Sequence, residues 1–134
     1  MLNPSNGLDV FQEKIVNVVK EAGGMPCPPI ILGVGIGGDA SLCMKLAKEA
    51  LLRPLNQRSS RADIARIENE LKRKLNTLEI GVIGLGGKVT CLDVHIEVAM
   101  RHPASFPVGL IVQCYSHRWA SFEMDKEGEM LDEA

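Results

Sequence analysis

Cys27-Pro28-Pro29-Ile30-Ile31-Leu32-Gly33-Val34-Gly35-Ile36-Gly37-Gly38 is the stretch that decides the fold class. Ile30 to Val34 is an uncharged run of β-branched residues and leucine around Gly33, the composition of a strand covered on both faces. A cysteine and two prolines feed the run, and glycines break it just before a helical pattern. Glycine at such a point lets backbone approach backbone, or a ligand, where a Cβ would collide.

Upstream, Leu8, Phe11, Ile15, Val18 with Val19, and Ala22 repeat at helical spacing, and Gly23-Gly24 supply the stop. Downstream, Asp39 and Ser41 are candidate N-caps for a helix carrying Leu42, Leu46, Ala47, Ala50 and Leu51. Arg53-Pro54 ends it, and Leu55 to Ser60 reads as a polar connector. Ile64, Ile67, Leu71, Leu75 and Leu78 mark a third amphipathic helix. A second glycine turn, Gly84-Leu85-Gly86-Gly87-Lys88, precedes a change of period to two at Thr90. There Leu92, Val94, Ile96, Val98 and Met100 point one way and Cys91, Asp93, His95 and Glu97 the other. After Arg101-His102-Pro103, the residues Phe106, Val108, Leu110, Val112 and Cys114 share one face of a further strand. From Ser121 weak alternation around Lys126-Glu127-Gly128 predicts a short edge hairpin or tail. The expectation is a single α/β (α+β) domain, a mixed β-sheet layered with about three helices, over residues 1–120, with 121–134 as the appendage.

The 134 residues suit one core. A net charge of -2 argues against an electrostatic nucleic-acid binder, and no apolar stretch approaches the roughly 20 residues that span a bilayer. No signal peptide is visible at the N-terminus, so a cytoplasmic location is expected, and four cysteines read as thiols or metal ligands rather than a disulfide framework.

Gly33, Gly35 and Gly38 satisfy G-x-G-x-x-G between strand and helix, a pattern that cradles a pyrophosphate. The acidic strand end expected about 20 residues on is missing, which favours a plain tight strand–helix turn. Cys27, held before two prolines, and Cys114, at a strand end, are candidate metal ligands; buried free thiols are the alternative. Cys43 sits among apolar helix residues and reads as core. Cys91, Asp93, His95 and Glu97 share a strand face that offers metal ligands, but a half-solvated polar face is the favoured reading. His102, in a turn near strand ends, is an acid–base candidate beside its reading as a surface histidine.

Taken together, these segments resemble the iron–sulfur hydro-lyases, class I fumarate hydratase and the alpha subunit of L(+)-tartrate dehydratase. The resemblance is carried by Met1-Leu2-Asn3-Pro4-Ser5 with Gly7, by Cys27-Pro28-Pro29 through Gly37-Gly38, and by Ala47-Lys48 through Arg53-Pro54. It continues through Ile80-Gly81 with Gly84 to Lys88, Val94-His95-Ile96-Glu97, and Arg101 to Ser105 with Pro107-Val108, then Cys114 and Arg118. It runs in order from the first residue to about Ala120 and covers the C-terminal half of the alpha part.

The resemblance implies a [4Fe–4S] cluster held by three cysteine thiolates with one iron open to substrate. Cys27 and Cys114 fall on two of the three ligand positions, and His102 on an active-site histidine implicated in catalysis. Gly37, Gly38, Gly86 and Gly87 would lie close to cluster and substrate. The implied reaction is reversible hydration or dehydration of a four-carbon dicarboxylate, fumarate/malate or tartrate. The implied partners are a beta subunit or domain and an N-terminal alpha segment carrying the third cysteine, with an oligomer expected. That third ligand is not among this chain's recognisable motifs, so the expectation is a fragment or one member of a split enzyme, inactive by itself. Asp39 stands where threonine is usual, Val82-Ile83 where Pro-Gln is common, and Tyr115-Ser116-His117 where small residues are usual. These departures keep open a second expectation, a truncated, cluster-less domain with a binding or structural role.

Overall fold

A computed structural model describes residues 1–5, 7–116 and 120–131. His117 and Arg118, two of the positions singled out above, lie outside the described residues. Three helices, α1 (Leu8–Ala22), α2 (Ala40–Ala50) and α3 (Ala62–Asn76), surround a sheet of β1 (Ile30–Ile36), β2 (Cys91–Val98) and β3 (Val108–Gln113). The strand order is β2-β1-β3, with β2 parallel and β3 antiparallel to the central strand. β4 (Glu123–Met124) and β5 (Met130–Leu131) pair only with each other, so the tail hairpin does not extend the main sheet as an edge. No helix among the described residues is long and apolar enough to cross a membrane.

Every residue of β1 is buried, as its composition predicts. On one face Leu32 and Val34 meet Phe11, Ile15 and Val19 of α1 and Ile64, Ile67, Leu71 and Leu75 of α3. On the other face α2 lies directly on the strands, and glycine makes that approach possible. A Cβ on Gly35 would sit 1.9 Å from the Cys43 carbonyl oxygen, and one on Gly33 would sit 2.2 Å from that of Ala47. These two glycines of the G-x-G-x-x-G pattern are therefore inside the strand, seating a helix rather than a phosphate. The N-terminus of α2 is already capped by the Asp39 carboxylate, which accepts from Leu42 N–H at 2.8 Å. That negative charge disfavours an anion there.

The outer edge of β2 is closed by side chains. Arg53 and Arg58, from the segment after α2, donate to the Ile96 and Val94 carbonyls at 3.1 and 3.2 Å. Glu68 of α3 accepts from Ile96 N–H at 2.9 Å and pairs with Arg53 at 2.6 Å. Covering an edge in this way removes a template for strand addition. The same network corrects the reading of Cys91, Asp93, His95 and Glu97 as a half-solvated face. Cys91, Asp93 and His95 are buried, because the connector folds back across β2 and brings two guanidinium groups with it; only Glu97 remains half-exposed. His95 is used up internally, its ring nitrogens 3.1 Å from the Ala50 carbonyl and from Asp93 Oδ2. Among the described residues no three such side chains are placed to hold a metal ion.

Burial alone would push the Asp93 carboxyl up, but His95, Arg58 and the Asn56 N–H outweigh it and hold Asp93 well below the usual carboxylate range. A depressed folded-state value means that Asp93 stabilises the fold above the unfolded carboxylate value of about 3.9, and that this contribution is lost as pH falls below it. Asp93→Asn should lower the urea midpoint at pH 7 and flatten the acid limb of a midpoint-against-pH curve. An acid limb as steep as the parent's would contradict this assignment.

Candidate functional site

The strand order sorts the candidate residues between the two ends of the sheet. Cys27 precedes β1 and Cys114 follows β3; because these strands are antiparallel, both cysteines come out at the same end. The backbone ties them together there, since Tyr115 N–H donates to the Cys27 carbonyl at 3.3 Å. The start of β2 and the glycine-rich loop before it lie at this end too. Ile83 N–H donates to the Pro28 carbonyl at 2.8 Å, and a Cβ on Gly84 would come within 2.7 Å of Gly24 Cα. Gly86 and Gly87 close this loop by bridging to Gly81 and Ile80.

Local backbone conformation at this end is unusual. Cys27 and Ile83 have φ of 53° and 54°, a region that L-residues seldom adopt and that a β-branched residue adopts least of all. Each costs about 1–3 kcal/mol and persists only where surrounding structure over-determines it. The turn after α1 does so for Cys27: Gly23 takes a positive φ, and Cys27 N–H then donates to the Gly24 carbonyl at 3.1 Å.

The four thiols differ in chemistry. Cys27 is exposed and Cys114 partly so, whereas Cys43 and Cys91 are buried. The Cys114 sulfur lies 2.8 Å from the Ser116 hydroxyl, whose donation to the thiolate holds Cys114 below the usual thiol range. Burial, with the Asp93 charge added, pushes Cys91 up to about 12, so its thiol stays protonated and inert. Cys43 packs against Gly35 and Gly109 and gives its S–H to the Ala40 carbonyl at 3.3 Å. Of the four thiols, Cys27 and Cys114 are the ones open to a metal, and Cys43 and Cys91 are shut in the interior.

Gly37, Gly38 and His102 are elsewhere, which corrects the expectation of one cleft. They sit at the C-terminal end of β1, where Gly38 N–H donates to the Met100 carbonyl at 2.8 Å. Seven residues of strand separate the two ends, about 20 Å at some 3.3 Å per residue. The loop carrying His102 is fastened by Arg101, whose guanidinium lies 4.8 Å from the Phe106 ring centre and donates to the Ser105 carbonyl at 2.6 Å. His102 Nδ1 accepts from Ala104 N–H at 3.1 Å, which places the ring proton on Nε2 and leaves that nitrogen facing outward. Sequence reasoning missed the Arg53–Arg58–Glu68 network; two arginines within an otherwise polar connector were its only signal.

The fold is a single α/β domain with two accessible thiols at one end of its sheet. The chain belongs to the fumarate hydratase (fumerase) family, whose sequence model matches residues 1–123. A Methanocaldococcus jannaschii protein carrying the name "Putative L(+)-tartrate dehydratase subunit alpha" is 49% identical over 120 residues, covering 90% of this chain and 42% of that protein. The L(+)-tartrate dehydratase subunit alpha of Escherichia coli K12 is 34% identical over 118 residues, covering 88% of this chain and 39% of its own length. The chain thus spans about two fifths of the curated relatives it matches.

Native protein treated with iodoacetamide should be alkylated at Cys27 and Cys114 within minutes, and at Cys43 and Cys91 only after unfolding. Peptide mass mapping checks this, and rapid native labelling of Cys43 or Cys91 would contradict the partition.

Proposed function

We propose that this chain is part of a [4Fe–4S]-dependent hydro-lyase that adds water to, or removes it from, a four-carbon dicarboxylate such as fumarate/malate or tartrate. The observation that carries the reading is the Tyr115–Cys27 backbone contact, which brings together the segments bearing the two accessible thiols. The names of the relatives, both of them alpha subunits of tartrate dehydratase, support the reaction class and a beta-type partner. When bound, such a cluster supplies a Lewis acid that polarises the substrate's C–O bond.

The chain's own residues have separable tasks. Cys27 and Cys114 hold the cluster, and the Ser116 hydroxyl steadies the Cys114 thiolate through its hydrogen bond. The glycine-rich loop from Gly81 to Gly87 stands beside them and, lacking side chains at four positions, lets a substrate come close to the backbone. His102 is the proton-transfer residue at the carbon next to the departing hydroxyl, acting as base once Nδ1 is released from Ala104 and takes the ring proton, which frees Nε2. A strand length of about 20 Å separates its end of the sheet from the thiol end, so the reading has His102 act on the cluster site of a second copy of the chain.

The test uses the complete assembly, this chain together with the polypeptides supplying the third cysteine and the beta portion. Cys27→Ser or Cys114→Ser should abolish iron retention and turnover while the far-ultraviolet circular dichroism stays unchanged. His102→Asn should keep the iron and lose at least about 100-fold in kcat. Mixing Cys114→Ser with His102→Asn chains should restore part of the activity, because each copy supplies what the other lacks. Full iron content in either cysteine variant would contradict the ligand assignment, and no recovery on mixing would contradict the second-copy role of His102.

A further inference from the structure

The two edges of the sheet are treated differently. Side chains of Arg53, Arg58 and Glu68 occupy the outer edge of β2, whereas that of β3 is bare. Gly37 N–H donates to the Pro107 carbonyl at 3.0 Å, so in the antiparallel register Gly109, Ile111 and Gln113 turn their backbone groups to β1. Val108, Leu110 and Val112 turn theirs away from it. Leu2 N–H takes the Phe106 carbonyl just before the strand at 2.9 Å, and no described residue pairs with the outward groups of these three. β3 lacks the usual guards of a free edge: it holds no charge and no proline, and apart from Gly109 its residues are only partly buried. Apolar grooves flank it on both sides. One, of about 140 Å³, lies on the α1 side against Ile15, Val18 and Leu110; the other, of about 220 Å³, lies on the α2 side against Cys43, Met44 and Val108. Lys14 is the single charged side chain in either lining.

We propose that two copies of this chain join edge to edge through β3, antiparallel about a two-fold axis normal to the sheet, so that the His102 loop of each stands at the Cys27–Cys114 end of the other. The proposal rests on the reading of those thiols as a cluster site served by His102. An occupant of this edge has to be an uncharged strand with free backbone groups of its own, and β3 of a second copy is one. A closed two-fold contact satisfies both edges at once and stops there, since the outer β2 edges are covered. The joined sheet runs β2-β1-β3-β3-β1-β2, with both α1 helices on one face and both α2 helices on the other. Strand direction then decides what meets what. β3 starts six residues after His102 and finishes one residue before Cys114. Pairing it antiparallel with its own copy sets the start of one strand beside the finish of the other. The separation of His102 from the thiols within one chain calls for that arrangement.

Sedimentation of the full 134-residue chain over a dilution series should show twice the chain mass, falling to one chain mass when dilute. Leu110→Pro removes an outward N–H and none that β1 uses, so it should sediment as a monomer with the parent's circular dichroism. A second variant, Val18→Glu with Met44→Glu, covers the case in which proline disturbs the fold. It places carboxylates on both flanks at side chains already 46% exposed, and should also be monomeric. Placement is read in a Cys27→Ser, His102→Cys background mixed from isotopically light and heavy copies. There a short bismaleimide should join position 102 of one copy to Cys114 of the other, seen as light–heavy peptide pairs. A parent that is monomeric at every concentration overturns the proposal, as does a dimer that survives both variants. A dimer lost in the variants but free of 102–114 cross-links overturns it too, by putting His102 elsewhere. Exchange-protected Leu110 and Val112 amides in the complete assembly, with no light–heavy cross-link there, overturn it by making another polypeptide the fourth strand. A cross-linked dimer whose Cys27→Ser form retains iron in the complete assembly upholds the joint while the ligand reading fails.

Discussion

The pairing of β1 with a parallel neighbour on one side and an antiparallel one on the other is the constraint from which the site follows. A parallel partner starts at the same end as β1, while an antiparallel partner finishes there. One sheet end therefore collects the entrance to β1, the glycine loop before β2 and the exit from β3. Residues remote in sequence, Cys27 and Cys114, become neighbours with no long excursion of the backbone. The opposite end collects Gly37, Gly38 and the loop with His102, and no repacking of side chains could bring it across.

Two devices keep β1 central. Its glycines admit α2 to the sheet at backbone contact distance, so helix and strands interlock without intervening side chains. Such a seat tolerates little change, because any Cβ there meets a carbonyl rather than a side chain that can move. At the β2 edge, charge replaces a fourth strand: Glu68 accepts from a strand N–H, while Arg53 and Arg58 serve strand carbonyls. Buried ion pairs of this kind cost desolvation, and removing one partner is worse than never having had the pair. The network holds the connector after α2 in one position, and with it α3.

Much of this was legible beforehand. The helical spacing of Leu8 to Ala22 and of Ile64 to Leu75, and the apolar run at Ile30, gave elements of the right type in the right order, because each pattern answers to its own local periodicity. The burial of Cys43 was also readable, since it lies in an apolar helix face, but that of Cys91 was not. What periodicity could not convey was which strand end faces which. The antiparallel sense of β3, which brings Cys114 to Cys27, is a tertiary choice, while Gly37 and Gly38 stand apart from Cys27 because β1 runs between them. The alternation through Cys91, Asp93 and His95 looked like a wet face for a similar reason. Its covering arginines come from a connector some 35–40 residues earlier, a contact outside any sequence window.

The chain belongs to the fumarate hydratase family and spans about two fifths of its curated relatives, and the central claim is that Cys27 and Cys114 form a single two-thiol site. The most direct measurement is titration of the native, metal-free chain with phenylarsine oxide. Its trivalent arsenic condenses with two adjacent thiols and releases one water, whereas separated thiols form no such ring. The account predicts one arsenic per chain, located by mass spectrometry on the Cys27 and Cys114 peptides together, and lost in Cys114→Ser. Independent alkylation of both thiols in the presence of saturating arsenical, with no bridged adduct, would contradict it.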